Sequence, residues 1–264
     1  MSRSKTCLRV LWALCMMLFC TGTGSVVGGE SRVIDLTYGL DEQTLAWPGN
    51  RPFHRDSTAW GETAAGYWYA SGQFTMSEHA GTHIDAPIHF AKGQPTVDAI
   101  PVDRLMGPAV VVDVRTAVER DRDYRLSVED IRRWESIHGR VPAGALVLML
   151  TGWGAYWKDP VRYFGSATPN DPATLHFPGF SREAVELLTR ERSIRGIGID
   201  TPSIDHGPSR DFIVHQVLNG AGLYALENVA HLDRLPATGA SITALPLKIT
   251  GGSGGPVRII AILP

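Results

Sequence analysis

The sequence predicts a single mixed α/β domain, a β-sheet core with few helices, over residues 30–264. Three observations predict it. Short apolar runs bounded by glycine, proline or polar residues recur along the chain at strand length. Only two segments carry clear helix-start signals, and a third helix is marked by its stop signal. No internal repeat, low-complexity tract or Pro/Gly/Ser-rich linker divides the chain. A length of 264 residues suits one large domain, and 44% hydrophobic with 20% charged residues is an ordinary globular composition.

In chain order, residues 1–29 read as an export signal peptide outside the fold. Arg3, Lys5 and Arg9 form a positive start, and Val10–Phe19 is an apolar run of ten, short for a bilayer span. Small residues at Gly22–Gly24 and Val27–Gly29 offer cleavage sites. An uncleaved anchor is the competing reading; cleavage leaves no stable membrane span. All three cysteines, Cys7, Cys15 and Cys20, lie in this leader. The exported chain is therefore expected to lack disulfides, a cysteine nucleophile and thiolate ligands. It keeps 22 basic against 27 acidic side chains, a net charge near −5. That balance gives no reason to expect nucleic acid as a partner.

Beyond the leader, the runs Ala109–Val114, Ala145–Leu150, Ile194–Ile199, Leu223–Leu226 and Val257–Leu263 read as buried strands. Ser127 caps a helix that places Val128, Ile131 and Trp134 on one face, with Asp130 at the capping-box position. Ser181 caps a second helix carrying Val185 and Leu188, with Glu183 and Glu186 near its positive end. A third helix includes Phe212–Leu218 and is stopped by Gly220-Ala-Gly222. The segment Trp157–Phe180, broken by prolines and glycines, reads as an irregular loop that could cover a site.

The chemistry concentrates in His79-Ala-Gly-Thr-His83-Ile-Asp85-Ala-Pro-Ile-His89-Phe90. Three imidazoles and one carboxylate fall within eleven residues, from a chain with nine histidines. Imidazole nitrogen and carboxylate oxygen are ligands that zinc, manganese and iron accept at neutral pH. Gly81, Thr82, Ile84 and Pro87 argue against a continuous helix. A strand entering a turn fits better: His83 and Asp85 then point to one side, and the turn at Ala86-Pro87 brings His89 back beside them.

Such a cluster needs further ligands from elsewhere. His215, on the third helix, and Glu227, after the following strand, are the best candidates. His206 in Ile204-Asp205-His206 is a rival. His54, His138, His176 and His231 read as surface or locally bonded histidines. Gly251-Gly-Ser253-Gly-Gly255 matches G-x-S-x-G, but a strand-like VRIIAIL and no histidine follow Ser253. A nucleophile elbow needs a helix there and a later histidine, so a glycine-rich turn between two strands is expected. No G-x-G-x-x-G follows a strand, which leaves a Rossmann cofactor unsupported.

The His79–Phe90 segment is similar to the signature of the metal-dependent cyclase superfamily, which includes bacterial-type kynurenine formamidases (arylformamidases) and isatin hydrolases. Val33-Ile-Asp-Leu-Thr37, Ala46-Trp47-Pro-Gly49, Gly196-Ile-Gly-Ile-Asp200-Thr-Pro-Ser203-Ile-Asp205 and the pair His215 and Glu227 extend the resemblance over nearly all of the exported chain. The resemblance implies a swivelling β/β/α domain, usually a homodimer. It implies that His79, His83 and Asp85 bind a first divalent metal, zinc or manganese. Asp85 would bridge to a second ion completed by His215 and Glu227. It makes His89 the proton donor and acceptor, and Trp47 an aromatic that packs on substrate. Compact formamidases lack the leader and have shorter Gly61–Phe74 and Trp157–Phe180 segments; Ala65-Gly-Tyr-Trp-Tyr69 looks closer to isatin-hydrolase-like members.

The expected activity is metal-dependent hydrolysis of a small aromatic amide. N-formylkynurenine, giving kynurenine and formate in tryptophan catabolism, is the first substrate reading, and ring opening of isatin is the alternative. An exported metal-binding protein without catalysis is the competing class. An unliganded His89, with Trp47, Trp68 and Trp153 to line a pocket, favours an enzyme.

Overall fold

The computed structural model describes residues 32–264, so the leader lies outside the described residues. In chain order the strands are β1 (Val33–Asp35), β2 (His54–Glu62), β3 (Trp68–Thr75), β4 (His83–Asp85), β5 (Met106–Asp113), β6 (Arg125–Leu126), β7 (Leu146–Leu150), β8 (Gly179–Phe180), β9 (Gly196–Ile199), β10 (Tyr224–Glu227), β11 (Ser241–Pro246) and β12 (Gly254–Ile262). The helices are α1 (Arg115–Val118), α2 (Val128–His138), α3 (Pro160–Tyr163), α4 (Arg182–Glu191) and α5 (Ile213–Gly220). The five strands expected from apolar runs are β5, β7, β9, β10 and β12, with shifted ends. The three expected helices are α2, α4 and α5.

One mixed sheet runs in the order β1-β12-β11-β5-β7-β9-β10-β4. Strands β5, β7, β9 and β10 are parallel, and the remaining pairs are antiparallel. Because β4 also pairs with β12, seven strands close into a barrel-like ring with β1 on its edge. Closure removes the open edges that a sheet would otherwise expose.

The continuous apolar runs follow from burial on both faces. In β5, Val110 and Val112 enter one core while Ala109 and Val111 enter the other; β7 divides Val147 and Met149 from Leu146 and Leu148 in the same way. The inner core fills the ring, as side chains do in small barrels. There is little spare space: a Cβ on Gly198 would lie 2.6 Å from Leu148 Cδ2. The outer core is covered by α2, α4 and α5 through Ile131, Trp134, Val185, Leu188, Val214 and Leu218. Trp157, Tyr163, Phe164, Leu175 and Phe177 join that outer core, so the Trp157–Phe180 segment is a packed wall. Strands β2 and β3 form a separate ribbon that pairs only within itself.

The helix starts behave as their caps require. Ser127 Oγ accepts from Asp130 N–H, and the Asp130 carboxylate accepts from Ser127 N–H at 2.8 Å and from Tyr124 hydroxyl at 2.7 Å. Ser127→Ala is expected to destabilise the protein by about 1 kcal/mol, the usual worth of such a cap. Urea denaturation measures it, and an unchanged midpoint would show that the cap contributes nothing.

Candidate metal centre

The centre forms where β4 is held between β10 and β12. Ile84 points into the ring core, so His83 and Asp85 emerge together on the opposite face. The antiparallel register sets Glu227 directly across from His83, and Ala225 across from Asp85, where its small side chain leaves room. Helix α5 brings His215 over the same face, and the segment before β4 supplies His79. Asp85 Oδ1 lies 2.6 Å from His79 Nδ1 and 3.2 Å from His83 Nε2. Its Oδ2 lies 3.2 Å from His215 Nε2. Glu227 reaches His215 Nε2 at 3.2 Å and His83 Nε2 at 3.4 Å. The structure thus brings His79, His83, Asp85, His215 and Glu227 to one point.

Outer partners aim the rings. His215 Nδ1 donates to Asp205 Oδ2 at 2.7 Å, and the same carboxylate accepts the N–H groups of Val214 and His215. His83 Nδ1 donates to the Gly81 carbonyl at 2.9 Å. That carbonyl also accepts from Asn228, which Tyr163 holds through its hydroxyl. Glu227 accepts from Ile204 N–H at 2.8 Å. Both imidazoles therefore present Nε2 inward, the arrangement in which a second hydrogen bond fixes the tautomer of a metal-binding histidine.

The electrostatics demand positive charge at the centre. Burial opposes the ionised form of Asp85, yet the charge of His83 and hydrogen bonds from His215 and His79 hold its carboxyl well below the usual range. Burial alone would push His83 down, but Asp85 and Glu227 outweigh it and hold that imidazole up to about 10. His215 is likewise held high, burial being overcome by Asp205, Asp85 and Glu227. Two buried carboxylates facing three imidazoles through nitrogen and oxygen atoms fit a divalent cation.

His89 occupies a short 3-10 turn, Pro87–His89. Its ring stacks on His79 with centroids 3.9 Å apart. His89 also lies within ligand reach of Asp85 and His215, so it faces the same centre. Burial pushes its imidazole down to about 4, with His79 and His215 adding to the shift against Asp85 and Glu227. The ring is neutral at pH 7. A cavity of about 280 Å³ opens above the cluster, walled by Trp47, Phe90, Phe164 and Phe212. Trp47 meets Phe177 and Phe212 edge-on.

Three expectations are corrected. Trp68 is 61% exposed on the β2–β3 ribbon and does not line this cavity. Trp153 is buried, donates its indole N–H to the Tyr163 carbonyl, and borders a separate cavity with Asp200 and His231. His206 faces away, into a groove with Arg125 and Arg210, while its neighbour Asp205 serves the centre by holding His215. Residue type favoured His206; only the helix-capping geometry of Asp205 reveals which of the two matters. His54, exposed between Glu42 and Asp56, and His176, bonded to Asp123, are locally bonded as expected. Ser253 touches His79 and donates to Glu78, and neither residue was foreseen as part of the site.

Comparison with known proteins agrees with this architecture. The Cyclase family profile matches residues 34–206. The chain is 33% identical to "Isatin hydrolase" of Roseibium aggregatum, covering 92% of this chain and 97% of that protein. It is 29% identical to "Kynurenine formamidase" of Bacillus mycoides, covering 87% and 97%. Among solved structures, isatin hydrolase A from Ralstonia solanacearum superposes with a TM-score of 0.81 at 36% identity, over 89% of this chain and 92% of that one. A ring of seven strands, a histidine and carboxylate cluster on β4, and these matches over nearly the whole described chain lead to one conclusion: the chain belongs to the Cyclase family.

Proposed function

We propose that the protein is a metal-dependent hydrolase of aryl amide C–N bonds, with His79, His83, Asp85, His215 and Glu227 holding one or two divalent ions, zinc or manganese. The observation that carries this reading is the convergence of five N/O donors, four of them buried, at the floor of an aromatic cavity, with a neutral imidazole beside them. A cation in such a donor set lowers the pKa of water toward ~7 and polarises an amide carbonyl. His89 accepts the proton of the attacking water, because its buried ring is neutral at working pH. As the carbonyl carbon gains the water oxygen and the C–N bond breaks, His89 returns that proton to the leaving nitrogen. Trp47, Phe90 and Phe212 hold the aryl ring and exclude water from it.

The preferred substrate class is a compact cyclic aryl amide of the isatin type. No lysine or arginine lines the cavity among the described residues. The α-carboxylate of N-formylkynurenine would find no cationic side chain there, whereas isatin is neutral and bicyclic. The cavity also sits near the small end of ligand sites, which run from about 300 Å³ upward. N-formylkynurenine is the second reading, supported by the kynurenine formamidase relative.

The protein is further proposed to act as an exported homodimer. The β2–β3 ribbon exposes Trp60 at 66% and Trp68 at 61%, with Tyr67, Tyr69 and Phe74 beside them. Such an aromatic patch marks an interaction surface, and an isolated two-stranded hairpin is marginal by itself. A second copy, presenting the same ribbon, is the occupant. Export rests on the charged start and apolar run of residues 1–29, and N-terminal sequencing of secreted protein should begin near residue 30. In sedimentation the purified chain should run as a dimer, and Trp60→Ser with Trp68→Ser should shift it toward monomer. A monomeric wild type would remove the homodimer from the account.

Kinetics of the metal-loaded protein separate the roles. Isatin should turn over with higher kcat/KM than N-formylkynurenine; hydrolysis of neither would leave a metal-binding protein without this catalysis. His89→Ala should keep its metal while turnover falls about 10²–10⁴-fold. His83→Ala should lose metal and activity together. A His89→Ala protein stripped of metal would instead make His89 a ligand.

A further inference from the structure

The Gly251–Gly255 loop is the one sequence motif that the proposed chemistry leaves unused, and it reaches the metal centre. Ser253 donates twice to one oxygen of Glu78, through its N–H at 2.9 Å and its hydroxyl at 2.6 Å. The same hydroxyl lies 2.9 Å from His79 Nε2. A hydroxyl has a single proton. With that proton given to an acceptor-only carboxylate, Ser253 Oγ can only accept from His79, so Nε2 carries the ring hydrogen. That leaves Nδ1 as the nitrogen facing Asp85 Oδ1, 2.6 Å away, where it donates to the carboxylate in the metal-free ring and would offer its lone pair to a cation that replaces that proton.

The backbone is shaped for this contact. Gly254 pairs with Asp85 in the β12–β4 register, and a Cβ there would lie 2.6 Å from His79 Cε1 and strike the Ile84 carbonyl. Ser253 itself is tied to the motif strand, its carbonyl accepting from Ala86 N–H at 2.9 Å. The loop thus lies against the imidazole edge, with the serine hydroxyl at ring nitrogen height and no side chain in the way.

We propose that Ser253 and Glu78 are positioning residues that lock His79 as an Nδ1 metal ligand, in contrast to the Nε2 faces offered by His83 and His215. The G-x-S-x-G pattern is thereby the outer support of a metal ligand and not a nucleophile elbow. The proposal rests on the metal reading above. The loop also links distant parts of the chain: β12 closes the ring, and Ser253, just before it, contacts a ligand that precedes β4.

The test uses the full exported chain labelled with ¹⁵N-histidine and loaded with zinc, which is diamagnetic. Long-range ¹H–¹⁵N spectra should show His79 with Nδ1 coordinated and a protonated, slowly exchanging Nε2. Competition with a chelator should give Ser253→Ala a zinc affinity lower by about 10–100-fold, the usual cost of removing an outer hydrogen-bond partner. The metal-free variant should melt at the wild-type temperature. Coordination of His79 through Nε2, or wild-type zinc affinity in Ser253→Ala, would overturn the proposal while leaving the centre intact. Failure of the wild type to bind zinc, manganese or iron would instead overturn the metal reading itself. If Ser253→Ala does not fold, the wild-type spectrum alone decides.

Discussion

Burying the Asp85 carboxylate is the constraint on which the rest of the structure depends. An ionised carboxylate withdrawn from water costs several kcal/mol unless opposite charge and hydrogen bonds replace its hydration. Asp85 is 1% exposed, and three imidazoles surround its two oxygens. Its position is set by β4, a strand of three residues pinned on both sides by β10 and β12. The pairings that close the ring therefore also fix the site. Ile84 fills the barrel, His83 and Asp85 face the cavity, and Glu227 arrives across the ladder.

Much of this was legible because it is local. The alternation across His83-Ile84-Asp85 forces two ligands to one side, and Pro87 turns the chain so that His89 follows them. The capping box at Ser127 and Asp130, and the apolar runs of β5 and β7, likewise depend only on neighbours in sequence. What escaped depends on distant partners. β11 carries no continuous apolar run and ends at a proline, so nothing in it announces that it bridges β5 and β12. The β2–β3 ribbon is exposed on both faces, which erases the alternation that would mark a strand. Asp205 and Ser253 carry no ligand signature, since each acts through a histidine remote in sequence. Trp68 and Trp153 were read as pocket walls from residue type; one is held outside on the ribbon, and the other inside the outer core.

The cavity combines a charged floor with apolar walls. Trp47, Phe90 and Phe212 offer ring faces and edges, while Phe164 comes from a segment whose other aromatics are buried in the outer core. That anchoring packs the Phe164 part of the wall against the outer core. A low-dielectric enclosure strengthens the field of the floor groups and keeps His89 neutral, the state that proton acceptance needs. Among the described residues no lysine or arginine lines this cavity, and the proposed preference for a neutral substrate rests on that.

The central claim is that the five converging side chains share bound metal, and a crystal of the zinc-loaded or manganese-loaded protein measured at the metal absorption edge tests it most directly. The account requires anomalous density between His79, His83, Asp85, His215 and Glu227, with zinc–ligand distances of about 2.0–2.2 Å and no sulfur ligand. Density centred elsewhere, or a fully loaded protein with none at Asp85, would contradict it.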